Sequence, residues 1–201
     1  MFIHAGFGGI ALVTGAISLI ARKGSVIHKK SGKVFYFTML TSALLALVIS
    51  LMPNHESPFL FAIGIFSSYF LIGGYRSVKF KSNNSNLLKD KVIAGLIILT
   101  GFLMITYPIV LTGNADIVLV VFGVIDLLLF RNSNKARKNW MKIHLSKMIS
   151  GYVAAVTAFV VVNHWIPGVW AWFTPPILGN IYLTYWLVKL NSKRKTIPGN
   201  G

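Results

Sequence analysis

The stretch WMKIHLSKMISGYVAAVTAFVVVN, Trp140 to Asn163, decides the fold. Crossing a hydrocarbon layer about 30 Å thick at about 1.5 Å per residue takes roughly 20 residues, and this stretch is long enough. In lipid every backbone amide must be paired within the protein. A segment of this length and evenness meets that demand as a helix, not as an alternating ten-residue or so strand of a membrane barrel. Its first half nevertheless carries His144, Lys147 and Ser150. Ionisable groups at membrane depth are costly, face the bundle interior and mark function.

Six more apolar stretches flank it: Phe2 to Ala21, Val34 to Met52, Phe59 to Val78, Val92 to Thr112, Ala115 to Phe130 and Val169 to Leu190. Of the 201 residues 55% are hydrophobic and 12% charged, which excludes an ordinary soluble domain. The pattern predicts an all-α membrane protein, a bundle of seven transmembrane helices. Residues 1–190 form a single transmembrane domain in this reading, and 191–201 a basic, flexible cytoplasmic tail.

The chain holds 20 Lys and Arg against 4 Asp and Glu, a net charge of +16. In a soluble protein that balance would indicate nucleic acid, but the apolar fraction overrides it, and no base-stacking aromatics interleave with the lysines. The connections Pro53 to Pro58, Gly113 to Asn114 and His164 to Gly168 carry no cation. All the cations fall on the other side: Arg22, Lys23, Lys29, Lys30 and Lys33; Arg76, Lys79, Lys81, Lys89 and Lys91; Arg131, Lys135, Arg137, Lys138, Lys142 and Lys147; Lys189, Lys193, Arg194 and Lys195. Because Lys and Arg near helix ends are retained in the cytoplasm, the N-terminus is expected outside, the C-terminus inside, and the protein in the cytoplasmic membrane. The first stretch lacks a preceding basic region and reads as a crossing helix, not a cleaved leader. The basic loops orient the chain, touch the anionic headgroups of the bilayer and offer a face to a membrane-protein partner. Trp140 and Tyr36 at the inner interface, and Trp165, Trp170 and Trp172 at the outer one, fit aromatic belts.

Asp126 lies five residues before Arg131 on an inward-running helix, while His144 and Lys147 lie about as deep in the next, outward-running one. All fall in the inner third of the membrane on antiparallel neighbours. His144, Lys147 and Ser150 spread over about 120° of one helix face. Two readings stand. In one, an Asp126–Lys147 pair only docks two helices, or Lys147 snorkels to the interface, and Ser150 bonds back to a carbonyl. In the other, Asp126, His144, Lys147 and Ser150, with Tyr36 at the same side, form a proton relay or ligand pocket.

His28, ahead of the second helix with Ser31 or Gly32 as its cap, sits on the same side as His144; His4, His55 and His164 are on the other. No His-x3-His pair or His-Glu-x2-His motif supports a closed metal site. Haem held by one His from each of two helices pairs His28 with His144, or His4 with His164. Two stacked haems are disfavoured, because His144 and His164 lie about 30 Å apart along their helix. No phosphate-cradling loop or nucleophile elbow appears, and the chain has no Cys. Ala5, Gly8, Ala11 and Gly15 in the first helix, and Gly151, Ala155 and Ala158 in the sixth, let neighbouring backbones approach. Pro175 and Pro176 should kink the last helix.

His4 with Gly8 and Gly15, the run His28-x3-Gly32-x3-Tyr36, Gly74-Tyr75-Arg76, and Trp140, His144, Met148 and Tyr152 through Thr157-Ala158-Phe159 to Asn163 resemble an uncharacterised family of bacterial multi-pass membrane proteins catalogued as a domain of unknown function. The resemblance implies a multi-pass membrane protein and directs attention to His4, His28 and His144. Where the family carries His-Arg-x2-Gly-Arg, this chain has Lys29 and Lys33, which keep the charge but lose the guanidinium fork. The leading functional expectation is a redox cofactor, haem above all, bound or assembled through His28 and His144. The alternatives are a proton-coupled small-solute transporter and a non-catalytic membrane subunit.

Overall fold

The computed structural model describes residues 1–82, 86–106 and 115–195, with side chains for 1–82, 86–104 and 119–192. Among these the chain is all-helical. Its elements are α1 (Phe2–Ile20), α2 (Val26–Ile49), α3 (Pro58–Ser77), a 3-10 turn (Val78–Lys81), α4 (Leu88–Thr106), α5 (Ala115–Arg131), a short α6 (Ser133–Lys138), α7 (Trp140–Val162) and α8 (Trp170–Lys195). Each apolar stretch falls on a helix. The end of the fourth stretch and the Gly113–Asn114 connection lie outside the described residues, as do the side chains of Asp116, Lys193, Arg194 and Lys195.

Hydroxyl and amide caps set several helix starts. Ser57 Oγ accepts from Leu60 N ahead of Pro58, and Asn132 Oδ1 accepts from Lys135 N. The second helix starts earlier than expected. Ser25, not Ser31 or Gly32, is its cap, with Oγ accepting from His28 N at 3.2 Å. Ser31 instead bonds back to Ile27 O within the helix. His28 therefore belongs to the first turn of α2, and Gly24, at φ 82°, reverses the chain just before it. The physical reason is that Val26 and Ile27 extend the apolar run toward the N-terminus, and the lysines after His28 are good helix formers. Pro175 and Pro176 both lie inside the continuous α8.

Side-chain contacts tie the helix ends into two groups. The start of α2 meets the end of α1 through His28 and Ser18, and the start of α7 meets the end of α3 through His144 and Gly74. The middle of α8 reaches the end of α1, where Tyr182 Oη donates to Leu19 O at 2.7 Å beside Lys23, which caps the same carbonyl. This end of the bundle gathers the cations and is called the basic end here. At the opposite end His4 meets Ser42 and Phe59 meets Trp172. α7 runs through the middle, against α3, α8 and α1.

Three apolar cores result. Phe70, Tyr69, Ile97 and Leu119 join α3, α4 and α5; Ala11, Phe35, Met39, Leu71 and Ala155 join α1, α2, α3 and α7; and Phe80, Phe130, Ala136 and Ile143 close the basic end. Small residues allow the closest approaches. A Cβ on Gly15 would lie 2.5 Å from the Tyr152 ring, and one on Gly123 2.5 Å from Ile98 Cγ1 and 3.0 Å from Ala94 O. Gly151, by contrast, makes only ordinary contacts.

The polarity of the bundle is inverted relative to a water-soluble fold. Asp90, Asp126, Lys147, Ser42, Ser67 and Ser77 are buried, while Val13, Leu44, Val48, Leu96, Leu128, Leu178 and Ile181 are exposed. An apolar exterior of this extent is suited to hydrocarbon, not water. Among the described residues four helices, Phe2–Ile20, Val26–Ile49, Pro58–Lys81 and Trp140–Val162, are long and apolar enough to cross a membrane. α4 opens on Lys89, Asp90 and Lys91, α5 has 17 residues, and α8 carries Pro175, Pro176, Asn180 and a basic last turn.

Candidate functional site

Two charges meet inside the bundle. Asp126 of α5 is 7% exposed and Lys147 of α7 5% exposed, and Lys147 Nζ lies 2.6 Å from Asp126 Oδ2. Tyr69 of α3 adds a third group, its Oη donating to the same Oδ2 at 2.5 Å and lying 3.2 Å from Phe122 O. The ammonium also sits 4.0 Å from the centre of the Tyr69 ring and 5.5 Å from that of Phe70. Such a pair survives burial only with close geometry and added hydrogen bonds, and Tyr69 supplies one. Lys147 does not snorkel to the interface.

The local sequence makes room for this side chain. A Cβ on Gly73 would lie 2.9 Å from Lys147 Cδ and 3.2 Å from Nζ, and one on Gly74 3.2 Å from Lys147 Cβ. Consecutive glycines on α3 thus form the slot along which the Lys147 stem reaches Asp126. Tyr69 precedes Gly73 by four residues, so ring and slot share one face of α3.

Directly against this cluster lies a cavity of about 800 Å³ between α3, α5, α7 and α8. Phe70 and Phe122, which touch the charge cluster, also line the cavity, and Phe59, Phe66 and Trp172 extend its aromatic wall toward the opposite end. Ser150, Thr157 and Asn180 are the polar side chains on its lining. Thr157 Oγ1 donates to Val153 O and Asn180 Nδ2 to Pro176 O, each within its own helix. Ser150, one turn from Lys147, does not bond back to a carbonyl. The chamber is therefore mostly apolar and aromatic, and Ser150 is its polar side chain nearest the ion pair.

The histidines serve differently from one another. His144 Nδ1 lies 2.8 Å from Gly74 O, His28 Nδ1 2.9 Å from Ser18 O, and His4 Nδ1 2.9 Å from Ser42 O. A carbonyl only accepts, so each Nδ1 carries the proton and each Nε2 bears the lone pair when the ring is neutral. His144 and His28 are both at the basic end, whereas His4 is at the other. His144 does not bond to Asp126 or Lys147, although Gly74 ties it to the lysine slot. His55 and His164 lie in the connections of the opposite end. Among the described residues no group of three or more His, Asp or Glu is placed to hold a metal ion.

Tyr36 does not join Asp126 by contact. It stacks on Tyr75, ring centres 4.1 Å apart with planes at 14°, between α2 and α3. Beside that stack is an ion pair absent from the sequence reading. Arg76 Nε and Nη2 hold Asp90 Oδ1 and Oδ2, both at 2.7 Å, and Asp90 is 4% exposed. Asp90, like Asp126, is thus a buried acid, and it sits in the first turn of α4. There it benefits from the positive helix N-terminus as well as from the guanidinium fork. A signal for it existed in the antiparallel order of α3 and α4, which brings the end of one against the start of the other.

No family model matches the chain, and neither does any curated protein or solved structure.

Proposed function

We propose that the chain is a seven-crossing protein of the cytoplasmic membrane, N-terminus outside, that moves a small solute in step with protons. Asp126, Lys147 and Tyr69 are its proton-active centre. One observation carries this reading: a buried carboxylate–ammonium pair lies just beyond one end of a cavity of about 800 Å³, with Phe70 and Phe122 shared between them. In its ionised form the pair is electrically neutral and self-satisfied. A proton delivered to Asp126 strands the ammonium of Lys147 in an apolar interior, a state too costly to persist without a change in packing or the loss of a second proton. Filling the adjacent cavity alters the same packing through Phe70 and Phe122. Binding of solute and of proton are then coupled, and by linkage each changes the affinity for the other.

The test is proton movement in vesicles. Purified protein is reconstituted with a pH-sensitive dye inside, and a panel of small solutes is added from outside. A solute that drives proton movement through wild type but not through Asp126→Asn supports the reading. Equal proton movement in both proteins, or none with any solute, overturns it.

A second reading, a redox cofactor such as haem held or assembled through His28 and His144, is favoured by one specific observation. Both rings donate Nδ1–H to a backbone carbonyl, the second-sphere bond that orients an imidazole and leaves Nε2 free to ligate. A reduced-minus-oxidised visible spectrum of protein made with ample haem decides it; absence of a Soret band excludes haem.

A further inference from the structure

We infer that the cavity between α3, α5, α7 and α8 is a site for one lipid-phase molecule: an apolar chain or ring system with a single uncharged hydroxyl or carbonyl head, seated with that head at Ser150. The inference rests on the proton-linked reading in taking this molecule as the solute of that centre. Three observations define the ligand class. The walls are apolar and aromatic over most of their extent, from Phe59 and Trp172 at one end to Phe70 and Phe122 at the other, so the body of the ligand must be apolar. The charges beyond the floor are already satisfied by each other, since Lys147 and Asp126 pair at 2.6 Å. An anionic head would find no uncompensated cation there, and a cationic head no free carboxylate. What is on offer is Ser150 Oγ, a hydroxyl with both donor and acceptor capacity, and it complements a neutral polar head.

The walls also give the route. α5 contributes Leu119 and Phe122, and α8 contributes Pro176, Asn180 and Leu183, yet among the described residues these two helices have no extended packing with each other. The route we infer runs between these two helices, whose outer faces carry exposed apolar side chains such as Leu128 of α5 and Leu178 of α8. A molecule dissolved in the hydrocarbon reaches the chamber sideways without passing through water.

Photolabelling tests this. The full-length protein in phosphatidylcholine vesicles is exposed to a long-chain alcohol carrying a diazirine, or to the matching fatty acid, irradiated, and the labelled residues are mapped. The expected result is several-fold heavier labelling by the alcohol at Val153, Thr157 and Gly179 than at the outward-facing Leu178, Ile181 and Val162. The acid should label the same wall several-fold less. Ala154→Phe, which places a ring in the chamber, should remove the excess labelling, and Thr157→Leu, a smaller change, should reduce it. Labelling spread evenly over inner and outer faces overturns the site, as does unchanged labelling in a folded Ala154→Phe protein. Equal labelling by acid and alcohol overturns the neutral-head assignment. Should Ala154→Phe fail to fold, the wild-type map and Thr157→Leu decide. Asp126→Asn separates the two ideas: wall labelling that persists while proton movement is lost supports both. Wall labelling without solute-driven proton movement in wild type sinks the carrier and keeps the site.

Discussion

Lys147 shows most directly how one residue's surroundings define it. A lysine near the start of a membrane-length helix has two outlets, the interface and an internal acid, and Gly73 and Gly74 open the second. Removing one partner leaves an unpaired buried charge, so Asp126→Leu and Lys147→Met should each lower stability by about 3–5 kcal/mol. The double variant Asp126→Leu with Lys147→Met should recover most of that loss, because no charge is then stranded. Unfolding in mild detergent, read as a double-mutant cycle, checks this; additive losses would mean that the pair is not coupled. Tyr69→Phe removes a hydrogen bond to a charged group and should cost about 1.5–3 kcal/mol. Asp126 and Lys147 were legible in the sequence because charges inside apolar stretches stand out. Tyr69 was not, since one tyrosine in an apolar helix looks like another until its hydroxyl is seen 2.5 Å from a carboxylate.

At the scale of the element, helix existence follows from composition, while boundaries and contacts follow from individual side chains. The apolar run beginning at Val34 locates α2, but the lysines around Gly32 hide the helical turns before it, and only the bond from His28 N to Ser25 Oγ fixes the start. Ser25→Ala should cost about 1 kcal/mol and speed amide exchange over the first turn of α2, whereas Ser31→Ala should leave both unchanged. The glycines divide in the same manner. A methyl on Gly123 meets Ile98 and the Ala94 carbonyl, so Gly123→Ala should loosen the α4–α5 hairpin by about 1–3 kcal/mol. Gly95→Ala on α4 has nothing within 4 Å and should raise stability by about 0.5–1 kcal/mol. Thermal unfolding of the two variants side by side distinguishes them. Sequence spacing singled out Gly15 correctly, yet not Gly73, Gly74, Gly123 or Gly179, because a close approach depends on which helix lies opposite.

Over the whole molecule, the cations at one end and the apolar exterior together make a prediction about orientation. The chain has no cysteine, so single cysteines can be introduced without background. An impermeant maleimide added to intact cells should label His55→Cys and leave Asn134→Cys unlabelled until the cells are opened; the reverse pattern would invert the proposed topology. Hydropathy and charge are sums over stretches, and for that reason the sequence by itself determined the helical class, the apolar segments and the gathering of cations in alternate connections. Meetings between segments are not sums. The convergence of α3, α5 and α7 on Asp126, Lys147 and Tyr69, the burial of Asp90 against Arg76 and the cavity beside the ion pair were decided by the tertiary structure. The physical reason is that each depends on the relative rotation and depth of helices far apart in sequence, which packing of their facing side chains sets and no single helix encodes.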